Sequence, residues 1–262
     1  MGIRPSVFMG RVRAARPLVH HITNYVTVND CANVCICAGG SPVMTDGEDV
    51  ADMVAISSAT VVNIGTLNAR TVASMEVAFG TASGKGIPML LDPVGAGATP
   101  YRTEVAERLM GMHPTVIKGN AGEIGVLSGL GGDVKGVDSH GSSDVVSAVE
   151  TLARATGSIV VATGETDYVS DGSVTYRLEN GTDMLGNVSG TGCMVSSVVG
   201  CYIGACGRSI EAVASAVTAF NIAAEVAVTR CGGPGTFRPA LLDAMFNLDG
   251  ETLDDRARCE RA

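Results

Sequence analysis

Val188-Ser189-Gly190-Thr191-Gly192-Cys193 opens a long run of small apolar residues, and its composition suits it to holding an anion. Glycines let the chain bend so that successive N–H groups converge, and a helix start adds about half a positive charge at the same point. A phosphoryl group in transit asks for little beyond such electrostatic help. Cys193 falls in the first turn of that helix, where a thiol pKa is lowered from about 8.5 and the sulfur can take a proton from a hydroxyl. Two acidic residues offer the complementary chemistry. Asp92 closes one short apolar run, and Glu123 ends Asn120-Ala121-Gly122-Glu123 directly after another. Carboxylates at neighbouring strand ends can hold Mg²⁺, through waters, against nucleotide phosphates. Asn24, in His20-His21-Ile22-Thr23-Asn24, and Met44, in Gly40-Ser41-Pro42-Val43-Met44, suit a small ring, with the amide orienting it and the thioether packing on it.

Plainer roles fit the same residues. The glycine run reads equally as a bend before a helix carrying a core cysteine. Glu123 reads as a capping-box partner of Asn120. Asn24 and Met44 read as turn and core residues, and the adjacent His20 and His21 point to opposite sides of an extended segment, which makes a poor metal site.

The elements that must position these residues are legible in outline. Thr60–Gly65, Pro88–Asp92, Thr115–Lys118 and Ser158–Thr163 are short, β-branched and too apolar for half-exposed strands, so they read as buried ones. Asn68–Ser83, Thr103–Met110, Asn120–Ser128 and Ser142–Ala155 have helical composition. The alternation implies a parallel sheet covered on both faces. A hairpin over Asp167–Arg177, turning at Asp171-Gly172, breaks the alternation. Thr191–Ala205 and Ser209–Thr229 read as buried helices, and the charged tail from Asp249 is expected to fray. Residues 1–262 read as a single domain. Ligands in open α/β sheets bind beyond the carboxyl ends of the strands, which directs attention to Gly65, Asp92–Gly97, Lys118–Asn120 and Thr163–Glu165.

Composition excludes some partners. A formal net charge of −9 and the lack of a basic run leave nothing to neutralise nucleic-acid phosphates. The most membrane-like stretch, Cys193–Cys206, is shorter than the ~20 residues a span needs. The 8 cysteines form no CxxC pair and suit a reducing cytoplasm.

In order, His21-Ile22-Thr23-Asn24, Ser41-Pro42-Val43-Met44, Leu91–Ala98, Ile117–Glu123, Ala162–Glu165 and Gly190-Thr191-Gly192-Cys193 resemble the hydroxyethylthiazole kinases of thiamine synthesis and salvage, within the ribokinase-like superfamily. The resemblance runs from about Pro17 to about Ala227. It implies a three-layer α/β fold with a mostly parallel central sheet flanked by helices. It implies ATP-dependent phosphorylation of the hydroxyl of 4-methyl-5-(2-hydroxyethyl)thiazole, with Mg²⁺. Gly190, Thr191 and Gly192 would form an anion hole, with Cys193 as base where most of the superfamily carries aspartate. Asp92 and Glu123 would hold magnesium, Lys118 and Thr163 would contact ATP, and Met44, Gly190 and Asn24 would contact the thiazole. The family pattern is a homotrimer with pockets shared between subunits, so that Asn24 could act across an interface. Lys118 departs from the family's arginine and loses bidentate phosphate geometry; Ser189 stands where threonine is expected. Alternatives are a kinase of hydroxymethylpyrimidine or pyridoxal, an NAD(P)HX repair enzyme, or a non-catalytic nucleotide-binding regulator. Cys193 argues against the relatives that keep aspartate.

Overall fold

A computed structural model describes residues 3–130 and 142–262. Its centre is one nine-stranded sheet in the order β2-β1-β3-β4-β5-β6-β7-β8-β9. The strands are β1 (Leu18–Ile22), β2 (Ser41–Met44), β3 (Ala59–Asn63), β4 (Met89–Asp92), β5 (Val116–Asn120), β6 (Ile159–Thr163), β7 (Asp167–Ser170), β8 (Thr175–Leu178) and β9 (Cys259–Arg261). From β2 across to β6 every pairing is parallel, and β7, β8 and β9 continue the sheet antiparallel. The four strands read from the apolar runs are therefore β3 to β6, and the hairpin is β7–β8. Strands β1 and β2, which carry His20, His21 and Met44, were not resolved as strands by that pattern, because the polar histidines interrupt it. Both rings are absorbed locally. His20 meets Thr60 Oγ1 at 2.8 Å and the Thr45 carbonyl at 2.9 Å, and His21 Nδ1 meets the Val19 carbonyl at 3.0 Å.

The helices are α1 (Pro5–Ala15), α2 (Val28–Ala38), α3 (Val50–Ala55), α4 (Ala69–Lys85), α5 (Pro100–Met110), α6 (Ala121–Leu127), α7 (Ser142–Thr156), α8 (Thr191–Cys206), α9 (Ile210–Val228), α10 (Pro234–Asn247) and α11 (Gly250–Arg256). Side-chain caps fix several starts: Asn68 and Asn120 form capping boxes with Thr71 and Glu123, and Thr99 caps α5 just before Pro100. The most apolar helices, α8 and α9, lie in the largest core cluster with β1, β3 and β5 residues. Helix α9 is long and apolar enough to cross a membrane, yet 83% of its apolar window is buried inside the protein. Helix α8 sits unusually close to the sheet because Gly200 has no side chain: a Cβ there would stand 2.6 Å from Val61 Cγ2. That close seat sets the height at which the α8 N-terminus meets the strand ends.

The tail departs from expectation. Instead of fraying, Asp249–Arg261 forms α11 and then β9, which pairs with β8. One buried leucine, Leu253, anchors α11, and Asp254 accepts hydrogen bonds from the Ser6 amide at 2.9 Å and its hydroxyl at 2.6 Å. A tail of mostly charged residues is ordered here by one apolar anchor and pairing of its backbone, neither of which shows as periodicity.

Candidate active site

At the carboxyl ends of β1, β3, β4 and β5, polar side chains converge under the start of α8. Asn63 ends a strand whose residues are all buried, and its amide must find partners. Its Nδ2 donates to Asp92 Oδ2 at 2.9 Å and to Cys193 Sγ at 3.2 Å, while its Oδ1 accepts from Asn24 Nδ2 at 3.0 Å. Asn24 Nδ2 also donates to Cys193 Sγ at 3.3 Å. The Asn24 carbonyl oxygen in turn holds the Thr27 amide and hydroxyl, fixing the start of α2. Ser196 Oγ donates to Asp92 Oδ2 at 2.6 Å. Lys118 Nζ donates to the Gly192 carbonyl at 2.9 Å and stands 3.8 Å from Asp92 Oδ2.

Gly190 caps α8 with φ 90°, and Met194 N closes the first helical hydrogen bond onto Gly190 O at 3.0 Å. The amides of Thr191, Gly192 and Cys193 therefore occupy the first turn, where N–H groups have no acceptor within the helix. Amides so placed are of the kind that can donate to an anion. The Thr191 side chain is turned away, donating to the Leu185 carbonyl at 2.9 Å. Only its amide belongs to the nest.

Electrostatics at Cys193 run against the sequence expectation. Burial pushes the thiol pKa up, and the Asp92 charge adds to this; Lys118 and the bonds from Thr27 and Asn24 pull the other way without winning. The helix start does not yield a standing thiolate, because the sulfur is largely enclosed beside a carboxylate. Lys118 is 4% exposed. Burial pulls its pKa down, but Asp92, Cys193, Glu123 and Asp167 together hold it above the ordinary lysine value, so it stays charged.

Glu123 combines its two readings. Its Oε2 accepts the Asn120 amide at 2.8 Å, completing the capping box, and its Oε1 accepts the Gly95 amide at 2.7 Å. It thereby joins the loops after β4 and β5. Burial and the Asp92 charge push its pKa up, against those two backbone bonds and Lys118. Beside this centre lies a cleft of about 740 Å³, bordered by Thr163, Gly164, Asp167, Thr191 and Gly192, with Asn180 and Asn221 on the far wall. Thr163 thus lies in the cleft, whereas Lys118 borders it only through its bond to the Gly192 carbonyl. Met44 ends edge strand β2, paired with His21 of β1, and is half-buried. Asn24 reaches Cys193 of its own chain at 3.3 Å. Reading the sequence missed Asn63 and Ser196; Asn63 was signalled by being the one amide side chain in the run Thr60–Gly65, which reads as a buried strand.

The model of the hydroxyethylthiazole kinase family matches residues 9–251. The chain is 48% identical over 262 residues to hydroxyethylthiazole kinase of Methanoculleus marisnigri, covering 99% of this chain and 94% of that protein. It is 49% identical over 251 residues to the enzyme of the same name from Methanocella arvoryzae, covering 95% and 94%. The chain belongs to the hydroxyethylthiazole kinase family. Among solved structures, the hydroxyethylthiazole kinase protein of Pyrococcus horikoshii matches with TM-score 0.92 and 37% identity over 98% of each chain. Pyridoxal kinase of Staphylococcus aureus matches with TM-score 0.62 and 19% identity over 79% of this chain and 86% of that one, a likeness of fold alone. The mostly parallel sheet between helices is thus the ribokinase-like arrangement that the motifs implied.

Membership of a kinase family brings ATP and a divalent metal ion into question, and the donor set at Asp92 and Glu123 fits such an ion. No group of three or more His, Cys, Asp or Glu side chains forms a metal cage among the described residues. A hard cation that keeps most of its waters needs no cage, only one or two carboxylates beside substrate phosphates. The bonds to Asp92 from Asn63 and Ser196 both fall on Oδ2, which leaves Oδ1 outside them. Two carboxylates against the single Lys118 charge leave the centre with excess negative charge, which favours a cation.

Proposed function

We propose that this chain transfers the γ-phosphoryl group of ATP to the hydroxyl of 4-methyl-5-(2-hydroxyethyl)thiazole. The observation that carries the reading is the position of Cys193: first turn of α8, held by the Asn24 and Asn63 amides, with Lys118 and Asp92 beside it. In this reading the cleft beside Thr163 takes the nucleotide and directs its phosphates at the α8 amides. The amides of Thr191, Gly192 and Cys193 bind the oxygens of the migrating phosphoryl group, and Lys118 adds a fixed positive charge on the same side. The substrate hydroxyl lies at Cys193, whose sulfur accepts its proton when ionised and becomes the thiol. Mg²⁺, held by Asp92 and Glu123 through waters, would neutralise phosphate charge when bound. Gly190 and Asn24 border the alcohol side, and Met44 closes it at the edge of the sheet.

We also propose that the protein works as a homotrimer. Tyr25 and Val26, 69% and 67% exposed, lie between Asn24 and Thr27, so an apolar surface adjoins the alcohol side directly. Free thiols at every cysteine suit a cytoplasmic setting. Light scattering should give three protomers, and a fully active monomer would exclude the shared pocket. The activity is tested by ADP release with hydroxyethylthiazole, hydroxymethylpyrimidine and pyridoxal side by side. The thiazole alcohol should give the highest kcat/KM; a preference for pyridoxal would overturn the assignment.

A further inference from the structure

Asp167 is a carboxylate with 5% exposure that takes no part in the phosphoryl-transfer centre. Burying a charge is unfavourable unless it is fully hydrogen-bonded, and a residue kept in that state calls for a purpose. Its two oxygens are both engaged. Oδ1 accepts the Gly164 amide at 2.9 Å, which ties the turn after Thr163 to the first residue of β7. Oδ2 accepts Asn221 Nδ2 at 2.7 Å from α9. The same Asn221 amide donates to the Asn180 carbonyl at 2.9 Å. Asn180 is anchored in turn by Glu225 Oε1 at 3.0 Å, the Arg256 carbonyl at 3.0 Å and the Arg258 amide at 2.7 Å. A continuous chain of hydrogen bonds therefore runs from the C-terminal segment through Asn180, Asn221 and Asp167 to Gly164, along the wall of the cleft.

We propose that Asp167 is a positioning residue for the nucleotide: its carboxylate fixes the Thr163–Gly164 turn against which the nucleotide binds. The proposal rests on reading the cleft as the nucleotide side. Both partners of Asp167 are donors, so the carboxylate must accept twice. A protonated acid, or the amide of Asp167→Asn, presents a donor to one of them and releases it. Turning over the Asn221 amide gives no relief, because its oxygen would then face the Asn180 carbonyl.

This makes nucleotide affinity depend on pH. Burial pushes the Asp167 pKa up from 3.8 to about 6, against the Gly164 and Asn221 bonds and the Lys118 charge. The charged groups around it are Lys118 on β5, Glu225 on α9, and Glu165, Glu179 and Asp183 on the loops that line the cleft. Because the folded value is the higher one, the protonated form is the more stable in the fold. The stability it lends is full below 3.8 and is lost as pH rises through about 6. Binding has the opposite sense: the turn is set only above about 6, and the competent fraction falls about tenfold per unit below it.

The test is calorimetric binding of a non-hydrolysable ATP analogue to the full chain between pH 5 and pH 8, wild type beside Asp167→Asn. At pH 7.5 the variant should bind at least about tenfold more weakly, as expected for losing one charge-assisted bond. The ratio of the two dissociation constants should shrink toward one by pH 5, with any titration of the ligand itself cancelling. KM for the thiazole alcohol should stay within about twofold. Equal affinities at pH 7.5, or a ratio that does not change with pH, would overturn the proposal. Should Asp167→Asn fail to fold, Asn221→Ala serves instead: stripping a donor from Oδ2 should move the acid midpoint of binding upward, and an unmoved midpoint overturns the idea. Wild-type protein that binds no nucleotide at any pH overturns both this and the cleft reading. Nucleotide binding without thiazole phosphorylation overturns only the activity.

Discussion

Gly190→Ala should damage the anion nest more than any other single methyl added to the site. The backbone there has φ 90°, a conformation that costs an L-residue about 1–2 kcal/mol. The new Cβ would also lie 2.2 Å from Thr27 Cγ2 and 3.1 Å from Thr27 Cβ, where carbon atoms normally rest about 3.5–4.0 Å apart. Overlap of that kind costs about 1–3 kcal/mol, giving roughly 2–5 kcal/mol in all. Thr27 cannot retreat freely, because its amide and hydroxyl are both held by Asn24 Oδ1, which also orients the amide on Cys193. Relief must come from shifting the start of α8, and a displacement of about 1 Å there costs on the order of 10² in rate. Thr27→Ser removes Cγ2 and keeps the hydroxyl, so the double variant should recover the overlap share while the φ penalty remains. Thermal unfolding and kcat on all four proteins give the coupling directly. Wild-type kcat in Gly190→Ala, or no coupling between the two sites, would refute the nest as drawn.

Glu123→Gln should lower kcat sharply at limiting Mg²⁺ and also lower Tm, because the amide turns a donor toward either Gly95 N or Asn120 N; normal turnover would leave Glu123 as a cap alone. Cys193→Ala should fold and lose about 10²–10⁴ in kcat, while Cys193→Asp should fold and retain transfer, since the α8 start and Lys118 receive an anion. Full kcat in Cys193→Ala, read beside its melting curve, would return the residue to the core. Deleting residues 256–262 removes the Arg258 and Arg256 bonds to Asn180, so it should lower Tm by several degrees and raise KM for ATP more than KM for the alcohol; equal effects on both would contradict the cleft wall.

Much of this centre was legible because its chemistry sits on punctuation. Asp92, Asn120 and Thr163 end strands that announce themselves as apolar runs, and Gly190 opens a helix with few polar residues. Asn63 and Ser196 escaped because their significance is spatial: one ends β3, the other lies inside α8, and each bonds Asp92 on β4. Strand β1 escaped because His20 and His21 look exposed by type, yet both are buried and individually bonded. Ordering of the tail depended on Leu253 and on backbone pairing with β8, and a single leucine carries no period. The sense of the Cys193 shift was misjudged for a related reason. A helix start is visible in sequence, but the enclosure of the sulfur and its proximity to Asp92 belong to the assembled fold.

In the proposed reaction the raised thiol pKa does not disqualify Cys193 as a proton acceptor; it lowers the fraction of sulfur ready to act. A thiolate made scarce by burial is also the stronger base once formed, and base strength and availability pull in opposite directions. In a loose transition state the hydroxyl proton leaves late, when the phosphoryl group has already taken most of its bond to the oxygen. Only the thiolate can take that proton, and its scarcity has a compensation. Asp92 and Glu123 already outnumber Lys118, and a third negative charge at the α8 start would compete with the phosphoryl oxygens for the same amides. The Asn24 and Asn63 amides point two N–H groups at the sulfur, an arrangement that supports the thiolate before it takes the proton. In our reading, cysteine at this position leaves the nest free for phosphate while it is a thiol, and once ionised it returns to the thiol by taking the hydroxyl proton.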